Sequence, residues 1–200
     1  MTNNELLDEM RRIRKMYVLK GVMRYQSVRN HDVHSESVAE HLFGMQIIST
    51  YFLPLEDPSH TLDWAKISEL ILFHEIGEIE TGDILFHKKN ADHVEEERRA
   101  AKRVAAQLPE SLRTLALERF TEFDTCVTPE AVFADAIDKI EPIFELLDDK
   151  AYGWLKKHNI TREIGTNGKL LATEKFPHMR RFLDAWIEHM VSKEVFATLE

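Results

Sequence analysis

The chain is poor in cysteine, glycine and proline. Its one cysteine, Cys126, excludes an internal disulfide and fits a reducing compartment. Seven glycines and six prolines in 200 residues are too few for an all-β design built on many tight turns. Basic charge is also short: 26 Lys and Arg stand against 35 Asp and Glu, a formal net charge of −9. That excludes a surface made to grip a nucleic-acid polymer, which needs a basic footprint. A local basic pocket for one small phosphate is still allowed. No run approaches the roughly 18 apolar residues of a membrane span. The opening MTNNELLDEMRRIRKMY has early acidic residues and no apolar run of signal length. The expectation is a cytoplasmic protein without a membrane partner.

What is present is helical. At 44% hydrophobic and 30% charged, the composition suits a real core under a charged helical surface. No repeat, low-complexity segment or clear linker appears, so one domain over residues 1–200 is expected. Leu6, Met10, Ile13 and Tyr17 space out a first amphipathic helix. SESVAEHLFGMQIISTYFL predicts a second, capped by Ser35 and ending before a loop at LPLEDPSHTLD. DWAKISELILFHEIGEIE predicts a continuous third, with Asp63 as N-cap and Gly77 weakening its end. Further helices are expected in DHVEEERRAAKRVAAQL, in ESLRTLALERFTEF, from Pro129 through the bend expected at Pro142, and in HMRRFLDAWIEHMVSKEVF. NITREIGTNGKLLATEKFP predicts a looser connection.

Several acids and imidazoles sit on helices whose other faces are apolar. His41 lies beside Val38, Leu42 and Phe43; His74 and Glu75 follow LILF; Asp138 lies within AVFADAIDKI. Charged groups are rarely buried unless paired or bound to a metal. Imidazole nitrogens with carboxylate oxygens suit a borderline or hard divalent ion such as Zn, Mn, Co, Fe or Ni. Spacing alone leaves a second reading open. Adjacent helix residues point about 100° apart, and a bare His-Glu pair is common. A histidine satisfied by a backbone carbonyl, beside a surface glutamate, would look the same.

Taken together, SVAEHLFGMQ, LILFHEIGEIETGDI and TPEAVFADAIDKIE resemble the HD-domain phosphohydrolases, and within them the 5′-deoxynucleotidase-like branch. The resemblance runs from about Leu19 to Glu145; residues 150–200 lie outside it as a C-terminal helical extension with no assigned role. It implies an all-α HD-domain bundle around a mononuclear metal site. The implied ligands are His41, His74, Glu75 and Asp138, with Asp135 the rival for the last place. The implied cofactor is a divalent ion: Mn, Co, Fe, Ni, Zn or Mg. Glu78 would orient or deprotonate the attacking water, and Asp83 would stand near it. Arg24 would hold the substrate phosphate, and Tyr25 stands where the family has a tryptophan against the sugar. Arg29 and Asn30 match the same stretch. The implied reaction removes phosphate from a nucleoside 5′-monophosphate or similar small phosphate, in a homodimer.

One residue departs from the family pattern: the doublet is His-Asp there and His74-Glu75 here. The added C–C bond is roughly 1.5 Å long, partly absorbed by rotamer choice. Positional errors of about 1 Å can lower rates about 10²-fold. A different class of function therefore stays open: a metal-binding protein with weak or no catalysis, serving as a nucleotide sensor or interaction partner. A helical module without metal is the third reading. His31 and His34 read as surface loop histidines, though they could line the pocket mouth. His87 and His93, with Lys88 and Lys89, could reach a phosphate but read first as having no such role. EEERRAAKR and Glu80 read as solvated, and Trp154 and Trp186 as core or dimer contact.

Overall fold

Ser37 begins the helix that carries the first candidate ligand. Its side chain accepts from the Glu40 backbone N–H while the Glu40 carboxylate accepts from the Ser37 N–H, a reciprocal capping box. The cap is therefore Ser37 rather than the expected Ser35, because only Ser37 has an acid three residues on to return the bond. The computed structural model describes residues 3–24, 35–147 and 149–198. Tyr25, Arg29, Asn30, His31 and His34 fall outside them.

The described chain is all-α, as expected. Helix α1 (Asn3–Ile13) runs into a 3₁₀ segment (Arg14–Lys20). An isolated antiparallel bridge between Met23 and Ser37 then sets the entry to α2 (Val38–Glu56). Helix α2 passes through Pro54 instead of stopping before it. So near the end, proline disturbs little of the hydrogen-bond ladder; the Asp57 N–H still bonds the Leu53 carbonyl at 2.8 Å, and Phe52 is fully buried.

Asp63 caps α3 (Trp64–Phe73), accepting from the Ala65 and Lys66 N–H groups. The expected continuous helix breaks here. Residues 74–77 form turns before the short α4 (Glu78–Thr81). Gly77 supplies the physical reason: a Cβ at this position would lie 2.7 Å from the Glu97 carbonyl oxygen on the neighbouring helix. The chain turns where it can press against that backbone. Gly82 follows at φ +70°, a conformation that side chains disfavour.

Asn90 caps α5 (Ala91–Gln107) in a capping box with His93, so His93 has a structural task. Helices α6 (Glu110–Thr125) and α7 (Pro129–Glu145) follow, and Pro142 lies inside α7. Helix α8 (Asp149–Lys157) comes next. The expected looser connection is instead α9 (Arg162–Ala172), capped by Thr161. Gly165 and Gly168 hide its helical pattern in the sequence. Gly165 is explained by packing, since a Cβ would come within 3.2 Å of Ile160 and 3.3 Å of Phe196. Helix α10 (Pro177–Ser192) closes the chain.

Helices α2, α3 and α7 share a buried cluster with Leu155, Ile160, Met179, Leu183, Trp186 and Met190 from the C-terminal region. A second cluster joins Phe73 and Ile76 to α5 and α6 through Ala101, Val104 and Phe120. The turn at 74–77 lies between the two. No helix of the described residues is long and apolar enough to cross a membrane.

Two glycines should respond oppositely to alanine. Gly77→Ala is expected to destabilise by about 1–3 kcal/mol, the scale of overpacking against a backbone that cannot yield. Gly168→Ala meets nothing within 4 Å in its helix, so it should stabilise by about 0.5–1 kcal/mol. Urea denaturation of both variants checks the signs.

Candidate metal centre

Helix α2 places His41 fully buried in the core, and a buried imidazole must find partners for both nitrogens. His41 Nδ1 lies 2.8 Å from Glu141 Oε2, so the Nδ1–H donates to that carboxylate. The approach of Glu141 depends on Gly44, one turn along α2: a Cβ there would sit 2.7 Å from Glu141 Oε1. The other nitrogen, Nε2, lies 3.1 Å from Asp138 Oδ1. In the neutral ring this is a lone pair facing a carboxylate oxygen, an arrangement stable only with a proton or a cation between them.

His74 stands at the break after α3. Its Nδ1–H donates to the Ile71 carbonyl at 2.9 Å, and its ring stacks on Phe123 at 4.4 Å between centroids. Both contacts turn Nε2 toward the same point. That nitrogen lies 3.5 Å from Glu75 Oε1 and 3.8 Å from Asp138 Oδ1, and it is buried without a hydrogen-bond partner among the described residues. One ligand atom from each of His41, His74, Glu75 and Asp138 lies within 4.8 Å of the others. Two imidazole nitrogens and two carboxylate oxygens form a donor set that fits a divalent ion. The extra methylene of Glu75 is taken up locally, because the chain has already left the helix there. Asp135 is not in the group; it faces Lys139 at 3.4 Å.

The electrostatics show how much negative charge is gathered. Burial would raise the Asp138 carboxyl, but Lys139 at 2.6 Å and the two histidines hold it well below the usual range. Burial also opposes ionisation of Glu75, and His74 overcomes it. For His41, burial and Arg24 disfavour the imidazolium, yet the Asp138 and Glu141 carboxylates that accept from it raise it to about 9.

Glu78 is buried, and burial, then Glu75 and Asp83, raise its carboxyl well above the usual range. Its Oε2 has no hydrogen-bond partner among the described residues. Arg24 follows the short bridge before α2. Its Nη1 lies 2.9 Å from Glu36 and 3.4 Å from Glu141, and its Nε lies 4.0 Å from Asp83. Glu36, His41 and Glu141 form a second close group, but the Arg24 guanidinium already supplies its cation. Burial there pushes Glu36 up to about 8. Glu80 points away, paired with Arg103 at 2.7 Å.

Sequence reasoning passed over Glu36, Glu141, Lys139 and Lys169. Glu141 had a signal, since it falls three residues after Asp138 on one helix face. Lys169 had none, being distant in sequence and set in a stretch that hides its helix. Arg24, Lys89, Asp138, Lys139 and Lys169 all line one cavity of about 430 Å³.

Comparisons with known proteins bear on the family and the fold. The 5′-deoxynucleotidase HDDC2 of Homo sapiens is 30% identical over 131 residues, covering 64% of this chain and 61% of that protein. The 5′-deoxynucleotidase hdd1 of Schizosaccharomyces pombe is 28% identical over 121 residues, covering 56% of this chain and 58% of that protein. The chain thus spans about three fifths of the length of these curated relatives. A crystal structure of a predicted metal-dependent phosphohydrolase from Magnetospirillum magnetotacticum MS-1 covers 96% of both chains with a TM-score of 0.79 and 25% identity. An HD-domain phosphohydrolase from Listeria innocua, with a TM-score of 0.61 and 18% identity over 92% of this chain and 85% of its own, shares the fold. The HD domain family profile matches residues 16–179, most of the sequence, and on that ground the chain belongs to the HD domain family.

Proposed function

We propose that the chain is a metal-dependent phosphohydrolase that removes phosphate from nucleoside 5′-monophosphates or similar small phosphates. The observation that carries this reading is the convergence of His41, His74, Glu75 and Asp138 around a buried imidazole nitrogen that no group among the described residues satisfies. Asp138 also lines the cavity with three lysines, where a phosphate would find compensating charge. Relatives named 5′-deoxynucleotidases support the substrate class.

The four residues would hold the ion, which when bound supplies Lewis acidity at a phosphoryl oxygen and a lowered pKa for a water. Glu78 accepts the proton of the attacking water. A carboxylate raised above its usual range is a better general base near neutral pH, and burial beside Glu75 and Asp83 provides that. Asp83 orients the same water. Arg24, fixed among Glu36, Glu141 and Asp83, contributes preorganised positive charge near the phosphoryl oxygens. Tyr25 is proposed to contact the sugar.

The homodimer is a proposal too. Phe43 is 67% exposed and shares a shallow apolar groove with Tyr17 and Leu72, which suits a second copy of the chain.

Four outcomes follow. Protein loaded with Mn or Co should release phosphate from a nucleotide panel, and Glu78→Gln should lower kcat by about 10²–10⁴-fold with fold and metal retained. Equal turnover in that variant removes Glu78 from the mechanism; nucleotide stabilisation in a thermal shift without any phosphate release favours the sensor reading. Elemental analysis should find near-stoichiometric metal in the wild type and little or none in His74→Ala. Glu75→Asp should weaken metal retention at least about tenfold, since the turn already seats the longer carboxylate; a gain in turnover would instead show that the glutamate detunes the site. Phe43→Asp should convert a dimer to a monomer in sedimentation velocity.

A further inference from the structure

The cavity beside Asp138 is larger than a phosphate requires. Its volume of about 430 Å³ falls in the range of sites that enclose whole small molecules. Near Asp138 it is cationic: Lys139 Nζ lies 2.6 Å from Asp138 Oδ2, and Lys169 Nζ donates to the Lys139 carbonyl at 2.7 Å. Elsewhere the wall is mostly apolar and comes from α8, α9 and α10, with Trp154, Ile164 and Trp186 prominent. Trp154 is held by stacking on His158 at 4.4 Å. The Trp186 indole N–H is buried and has no acceptor among the described residues.

Gly168 adds an independent observation. It lies inside α9, where glycine is costly relative to alanine. Unlike Gly165 and Gly77, it has no steric reason to be glycine, since nothing lies within 4 Å of where its Cβ would be. It lines the cavity, one residue before Lys169. The missing side chain leaves space beside the cations.

We propose that the C-terminal helices form a nucleobase pocket over the metal centre, with Lys169 binding the phosphate and Gly168 keeping room for the base. The substrate class is then a nucleoside monophosphate rather than a bare sugar phosphate. A base offers a flat face to the tryptophan-bearing wall. Burial, aided by Lys139 and Arg24 against Asp138, lowers the Lys169 ammonium to about 8, and a phosphate dianion beside it would keep it charged. The placement of the phosphate rests on the phosphohydrolase reading; the base pocket is tested by binding and does not need turnover.

The test compares deoxyadenosine 5′-monophosphate with 2-deoxyribose 5-phosphate, which has the same sugar and phosphate without the base. Calorimetry is run on metal-loaded protein in a Glu78→Gln background to suppress turnover. The nucleotide should bind at least about tenfold more tightly, the scale of one base stacked on an aromatic ring. Gly168→Leu, which fills the space, should remove that preference and leave sugar-phosphate affinity within about twofold. Gly168→Ala serves as the folded control and should retain it. Lys169→Met should weaken both ligands alike. Equal affinities in the wild-type pocket, no binding of either ligand, or an equal loss of both in Gly168→Leu overturns the proposal. Failure of the phosphohydrolase reading looks different: the unmodified protein releases no phosphate from either ligand while the binding preference stands.

Discussion

Lone pairs that face one another inside a core are the constraint on which the rest of the structure depends. His41 Nε2 and Asp138 Oδ1 meet at 3.1 Å, and His74 Nε2 is turned toward the same oxygen by its bond to Ile71. Neither imidazole can move to water, because His41 and His74 are buried and the helices bearing His41 and Asp138 pack in one apolar cluster. The arrangement costs free energy unless positive charge enters it. A proton can serve, and a divalent ion serves better, since it satisfies all four donors at once. The other charged residues follow from this demand. Glu141 fixes the His41 tautomer, Arg24 answers Glu141 and Glu36, and Lys139 answers Asp138.

The same demand explains two glycines. Gly44 lets Glu141 reach behind His41, and Gly77 lets the turn after His74 rest against α5. Both are close approaches of an element to a neighbour, and both set the direction of a ligand. The second apolar cluster thereby takes part in the site, since Phe73, Ile76 and Phe120 hold the turn from below. Helices far from the ion shape it through backbone contact rather than through charge.

Much of this was legible in the sequence. Apolar spacing marked most of the helices, and Asp63 and Pro129 marked two of their starts. The acids and imidazoles that gather at the centre stood out because each interrupted an apolar run. Other features needed the third dimension. The break at His74 is set by Glu97 on another helix, so local pattern alone extends α3 too far. Helix α9 was concealed by Gly165 and Gly168, and the neighbours that explain Gly165 (Ile160 and Phe196) lie outside its own span. Lys169 reaches the cavity only because α9 packs on α7, and no spacing rule joins residues so distant. Ser35 and Ser37 were separable only by the returning bond from Glu40.

The ligand set also has a bearing on cohesion. His41, the His74–Glu75 pair and Asp138 come from three stretches of chain separated by long intervals, in a protein whose single cysteine rules out a disulfide. An ion held by all of them would act as a reversible crosslink over loops of several dozen residues, and it would constrain the unfolded chain much as a covalent tie does. Folding and ion occupancy then become one linked equilibrium. How tightly the helices hold together would depend on how much free metal the surroundings provide.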